Sequence, residues 1–181
     1  MTKQRQPSLI DGWLGPEARL LERHELRVAA PPEQVAEALQ QVRLMDMPIV
    51  RFLIFIRGIR HSKEMTLWQF FSTPPFLILE EAPAQEVVIG DAGRPWRLRE
   101  RPSTPDPDQF RAPGQPGTMH VIANLRVDAT ESGSLVSTET WGETFGCRAR
   151  WLFRAYWLIV GPFSALIRRQ FLRAARKTVE G

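Results

Sequence analysis

From Cys147 to Glu180, apolar residues recur every three or four positions: Ala149, Phe153, Tyr156, Val160, Phe163, Ile167, Phe171 and Ala174. That spacing puts them on one face of a single amphipathic helix. Arg150, Arg154, Arg168, Arg169, Arg173, Arg176 and Lys177 fall on the opposite side of the same helix. At about 1.5 Å per residue the element would run roughly 50 Å. An apolar face of that length needs a layer to lie on, and the preceding chain offers short alternating segments of the kind that build a sheet.

The clearest alternation is Met119 to Val127. Met119, Val121, Ala123, Leu125 and Val127 share one face, and His120, Ile122, Asn124, Arg126 and Asp128 share the other. Glu131-Ser132-Gly133 is predicted as a hairpin turn into a last strand, Leu135 to Phe145. Earlier, His24 to Ala29 reads as the first strand, with Leu26 and Val28 on one face, ended by Pro31-Pro32. Phe76 to Glu81 and Gln85 to Ile89 read as two strands joined around Ala82-Pro83-Ala84, and Gly90 to Gly93 as a further turn leading into Trp96 to Arg99.

Two helices are predicted after the first strand. One spans Pro32 to Val42, with Glu33 in its first turn and Val35, Ala38, Leu39 and Val42 as its buried face. The second starts at an Asp46 N-cap, takes in Ile49 to Ile56 and stops at Gly58. Pro102 to Gly117 holds five prolines and reads as an irregular loop. A proline at 162, after Gly161, removes one helical hydrogen bond and predicts a kink in the long helix.

This order predicts an α+β fold. A bent antiparallel sheet wraps around the long C-terminal helix, with two short helices after the first strand. Residues 1–22 are predicted as an N-terminal extension anchored by Leu9, Ile10, Trp13 and Leu14, and residues 23–181 as one domain.

Particular stretches carry a family resemblance. His24-Glu25-Leu26-Arg27-Val28-Ala29-Ala30-Pro31-Pro32-Glu33 resembles the opening strand and first helix of the START-like, or SRPBCC, superfamily. Glu86 to Gly90 with Gly93 and Trp96 resembles a mid-sheet segment of a bacterial subgroup. Ser137 to Thr140, and Phe153 to Trp157 with Gly161-Pro162-Phe163-Ser164, resemble that subgroup's last strand and final helix. The superfamily includes polyketide cyclases, plant pathogenesis-related allergens and lipid-transfer domains. The resemblance implies a helix-grip fold that holds an apolar or amphipathic ligand between sheet and helix, sometimes with catalysis. It does not fix one activity.

Composition alters this picture little. The chain is 43% hydrophobic and 24% charged, with a formal charge of +4. The positive excess gathers in the C-terminal helix, where Glu180 is the lone acid. A solvated helix face, an anionic membrane surface and nucleic acid are the readings this allows, and no nucleic-acid reader motif accompanies the charge. One cysteine, Cys147, excludes an intramolecular disulfide and fits a reducing compartment. The N-terminal residues lack a signal-peptide core, and Trp151 to Ile167 is interrupted by Arg154 and Gly161-Pro162. A cytoplasmic protein is expected.

Known chemical signatures are lacking. His24, His61 and His120 share no ligand spacing with one another or with Cys147, so no metal site is expected. No phosphate-binding glycine loop or nucleophile elbow occurs, and no cofactor is expected. Glu139 sits mid-strand beside Thr138 and Thr140. Facing the cavity, it would be a candidate general acid or base; facing outward, it would pair with an arginine of a neighbouring strand. His120, on the other face from Met119 and Val121, is expected in a surface or cross-strand role. Trp68, Trp96, Trp141, Phe153, Tyr156 and Trp157 are candidates for lining a pocket, together with Val121, Ala123, Leu125 and Val160. Core packing is the competing role for each.

The leading expectation is a monomer or homodimer that binds a small hydrophobic ligand under its C-terminal helix. The alternatives are a cyclase, dehydratase or isomerase using Glu139, and a membrane- or protein-interaction domain docking through Trp151, Trp157 and the arginines.

Overall fold

The computed structural model describes residues 7–47, 50, 52, 64–97 and 106–180. Among these residues five strands form one antiparallel sheet: β1 (Arg19–Val28), β2 (Phe76–Ala82), β3 (Glu86–Gly93), β4 (Met119–Thr130) and β5 (Gly133–Thr144). Their spatial order is β1-β5-β4-β3-β2. Strands β2 to β5 are a simple meander, and β1 closes the sheet by pairing with β5. Helix α1 (Pro32–Gln41) follows β1, α2 (Leu67–Phe71) precedes β2, and α3 (Cys147–Glu180) ends the chain. Alternation and helical periodicity thus set the architecture the pattern predicted, the helix-grip arrangement of a long C-terminal helix laid on an antiparallel sheet.

Alternation divides the sheet into two faces. Val127 and Val136, opposite each other on β4 and β5, pack with Val28, Val35, Leu39, Phe171, Leu172 and Ala175 into the main core. This core joins the sheet, α1 and the C-terminal half of α3. Val35, Ala38 and Leu39 are the buried residues of α1, and Glu33 lies in its first turn. Helix α2 starts from Thr66, whose hydroxyl accepts from the Gln69 amide while the Gln69 side chain accepts from the Thr66 amide, a reciprocal cap.

The opposite face is covered as well. A 3-10 turn, Leu9–Trp13, and a second, Pro107–Phe110, lay Ile10, Trp13 and Phe110 against Val88 and Ile122. Buried Glu86 fixes the first turn by accepting from the Leu9 amide at 3.0 Å and from the Ser8 hydroxyl. Trp13 donates its indole N–H to Glu80 at 2.7 Å.

Several local expectations are corrected. Strand β1 begins at Arg19, five residues before the predicted start at His24. Gly90 to Gly93 is strand, not turn: Gly90 pairs with Leu77 and Ile122 inside the sheet. A Cβ at Gly90 would stand 2.6 Å from the Phe110 ring, so this glycine provides space and not a bend. Trp96 lies in the turn after β3. Asp46 ends a 3-10 turn, Leu44–Asp46, and pairs with Arg43 at 3.2 Å. Of the second predicted helix, only Val50 and Phe52 lie among the described residues, and both are helical. The remainder of that helix and residues 98–105, which include half of the predicted Trp96 to Arg99 segment and the start of the proline-rich loop, lie outside them. Helix α3 is continuous through Pro162. No helix among the described residues is long and apolar enough to cross a membrane.

Candidate functional site

The register decides which candidates meet. Thr138 and Thr140 of β5 share a face with Val121, Ala123 and Leu125 of β4, because Ala123 pairs with Thr140 and Val121 with Gly142. This is the face under α3, since Thr138 accepts a hydrogen bond from Arg168 of that helix at 2.6 Å. Phe153, Tyr156, Val160, Ser164 and Ile167 form the side of α3 turned toward it. Sheet face and helix face therefore oppose each other, but their closure is uneven. Val127 and Phe171 are buried at one end. Toward the other end Val121, Ala123, Leu125, Tyr156, Trp157 and Val160 keep partial exposure. Phe153 is buried, with ring centres 6.4 Å from Tyr156 and 5.5 Å from Trp157. Trp157 also lies across Gly161, where a Cβ would come within 3.0 Å of its indole nitrogen. These two incompletely closed apolar faces define a candidate groove.

A polar cluster closes the groove at its boundary with the main core. Glu22 of β1 accepts from Arg168 Nε at 2.8 Å, from the Ser164 hydroxyl and from Thr140 Oγ1 at 3.4 Å. Its second oxygen is 3.3 Å from His24 Nε2. Thr138 relays the network by donating to the Asn124 carbonyl at 2.6 Å. Burial pulls the Arg168 guanidinium below the ordinary arginine range, and the charge and hydrogen bond of Glu22 oppose that pull. A hydrogen-bonded ion pair of this kind is the usual way a charge is held between layers.

Sequence reasoning missed this cluster. Periodicity places Glu22 in the N-terminal extension and Arg168 on the outer side of the helix. The structure turns Arg168 inward, next to Ser164 and Ile167. The signal available was positional: Arg168 follows Ser164 by four residues and so shares its helix face.

Glu139 and Trp141 are corrected. Both lie on the face away from α3, because strand alternation turns Thr138 and Thr140 toward the helix and their neighbours outward. Glu139 takes the paired arrangement: it accepts from the Trp141 indole at 2.9 Å, and Arg23 lies 3.2 Å away. Its backbone amide donates to Asn124 Oδ1 at 2.8 Å. Trp141 packs on the Ile10–Ile122 cluster. His120 also belongs to this face, but it is buried, not superficial, with ring centres 5.1 Å from Phe110 and 4.7 Å from Phe145. Burial lowers its pKa. Trp68 lies beside α1 and, of the partly exposed residues of the candidate groove, shares only Leu125. It lines a depression of about 30 Å³ beside α1 with Leu39, Val87 and Leu125, which is room for about one water and far below the several hundred Å³ of a small-molecule site. No group of His, Cys, Asp or Glu among the described residues could hold a metal ion.

No family model and no curated protein matches the sequence. Solved structures do align with it at low identity. A Mesorhizobium loti protein is 14% identical, with 90% of this chain and 97% of that one covered and a TM-score of 0.44. A Chromobacterium violaceum protein is 13% identical, with 92% and 99% covered and a TM-score of 0.38. The Zhui aromatase/cyclase of a Streptomyces species is 15% identical, with 90% and 96% covered and a TM-score of 0.33. On its own element order and strand topology, the chain has the helix-grip fold.

Proposed function

We propose that the protein binds a small hydrophobic or amphipathic molecule in the groove between β4 and α3. The observation that carries this reading is the incomplete closure of two opposed apolar faces, with Val121 and Ala123 on one side and Tyr156 and Val160 on the other. Their neighbours Val127 and Phe171 are fully packed. Apolar groups left partly wet within a packed fold gain free energy, about 25 cal/mol per Å², when a ligand covers them. The Glu22–Arg168 cluster next to Ala123 gives the groove one polar end, which suits an amphipathic molecule with its apolar body over Ala123 and its head toward Ser164 and Arg168.

The test is a titration with anilinonaphthalene sulfonate, an apolar fluorophore with an anionic head, against the native protein and Ala123→Phe. The partly exposed Ala123 can take a larger side chain without unfolding the sheet. Saturable binding that Ala123→Phe weakens at least tenfold supports the groove. Equal binding by the two proteins, with matching circular dichroism, overturns it.

A further inference from the structure

The outward face of α3 carries large apolar side chains that no described element of the fold covers. Leu158 is 81% exposed, Trp151 70% and Ile159 69%, and Leu152, Phe163 and Leu166 are exposed as well. At 3.6 residues per turn these six fall within an arc of about 140°. They form one stripe, roughly 22 Å long, centred on the side of the helix away from Phe153, Val160 and Phe171; Phe163, which periodicity groups with the inward residues, is exposed at its edge. Isolated exposed leucines are ordinary on a protein surface; a contiguous stripe is not.

The charges around the stripe are arranged with it. Arg148, a turn before Trp151, and Arg169 and Arg173, after Leu166, project within the same arc and are exposed. Arg150 and Arg154 flank one edge, and Arg154 lies over the Trp151 ring at 5.5 Å. Over this whole helix the single acid is Glu180, 3.7 Å from Arg176 near the C-terminus. The surface is thus an apolar strip with cations at both ends and along one side.

We infer that this face of α3 docks on an anionic lipid bilayer, with Trp151, Leu158, Ile159 and Phe163 entering the boundary between headgroups and acyl chains. An amphipathic helix lying in the plane of a membrane has this composition: tryptophan and aliphatic side chains inward, arginines level with the headgroups. The long arginine side chains reach past the apolar strip to phosphate while their stems stay against hydrocarbon. A second copy of the chain fits the face poorly. Parallel pairing sets Arg148 against Arg148, and antiparallel pairing sets Arg148 against the Arg169–Arg173 end, so either register brings cations together without acids. This docking does not depend on ligand binding in the groove, which lies on the other side of the same helix.

Co-sedimentation of the full chain with vesicles tests the inference. The vesicles are phosphatidylcholine alone, or phosphatidylcholine with about one-third phosphatidylglycerol. Binding is expected to the anionic vesicles, to drop at least tenfold when ionic strength rises from about 0.05 to about 0.5 M, and to be weak on phosphatidylcholine. Leu158→Glu/Ile159→Glu and Arg169→Glu/Arg173→Glu should each reduce binding at least tenfold. Both pairs are exposed, so circular dichroism and melting should match the native protein. Tryptophan emission should shift to the blue on binding. The inference is overturned if the native protein stays in the supernatant with anionic vesicles, or if Leu158→Glu/Ile159→Glu sediments undiminished. It is also overturned if the native chain is a dimer in solution that Leu158→Glu/Ile159→Glu dissociates, or if it selects an acidic protein or nucleic acid over the vesicles.

Discussion

Arg168, late in the last helix, donates to Glu22 of the first strand at 2.8 Å, across a sequence separation of 146 residues. The pair ties the two ends of the chain together between sheet and helix. The Glu22 side chain is 9% exposed and that of Arg168 20%. Removing one partner leaves the other charged in a poorly hydrated site. Arg168→Met or Glu22→Gln should lower unfolding free energy by about 2–3 kcal/mol, short of the full penalty for a buried pair because Arg168 keeps some contact with water. The double variant should lose less than the sum of the single ones. Urea denaturation of all four proteins gives the coupling, and strict additivity would show that the pair does not hold the helix.

Glu139 is predicted to be structural. Its carboxylate accepts from Trp141 and faces Arg23, whose side chain is 44% exposed. Glu139→Gln keeps the volume and weakens both contacts, so it should cost about 1 kcal/mol and leave fluorophore binding in the groove unchanged. A selective loss of binding with stability intact would instead place this residue in contact with the ligand.

Gly90 should tolerate no side chain. Its added Cβ would come within 2.6 Å of Phe110 and 2.8 Å of Leu79. Gly90→Ala is expected to destabilise by about 1–3 kcal/mol through overpacking. Gly90→Ala/Phe110→Leu should recover part of that loss, because the smaller side chain vacates the space. Thermal melts compare the three.

His120 gives a pH dependence. Buried between Phe110 and Phe145, with Glu143 as its cross-strand partner, it has a pKa lowered by desolvation. A lowered folded-state pKa means that the unfolded chain binds the proton more readily. The contribution is therefore fully present above the unfolded value of about 6.5 and is lost as pH falls through the folded value. His120→Gln should flatten the decline of stability on the acid side of about pH 6.5, measured as denaturation midpoint against pH. Equal slopes for the two proteins would assign the acid sensitivity to other groups.

The outline of the fold was legible because periodicity is a local property. Met119 to Val127 alternates at a period of two, and Ala149 to Ala174 repeats at three and four, so strand and helix each announce themselves. Periodicity separates faces, but it does not say what covers them. His120, Ile122 and Asn124 read as the outer side of β4, yet all three are buried, because Ile10, Trp13 and Phe110 arrive from distant 3-10 turns. The same limit hid the groove's polar end. In a run of cations Arg168 is indistinguishable from Arg169 by type, and only its step from Ser164 separates the inward residue from the outward one. Glu22 was obscured by the late start assigned to β1, and a strand rich in Arg and Glu carries little apolar signal by which to find its beginning.

The strand order has a consequence for how the chain is made. Strands β2 to β5 join to sequence neighbours and can assemble soon after they are synthesised. β1 cannot, because its partner is β5, and the hydrogen bond from Ser134 to Ala30 beside that junction spans 104 residues. Contacts so distant in sequence form late. The first strand therefore lacks its partner until β5 has been made. A waiting strand is a template for wrong pairing, and charged side chains blunt that tendency. In β1, Arg19, Glu22, Arg23, Glu25 and Arg27 interrupt every apolar run. Charges that look like surface decoration in the finished protein guard the strand that stays unpaired until β5 has been made.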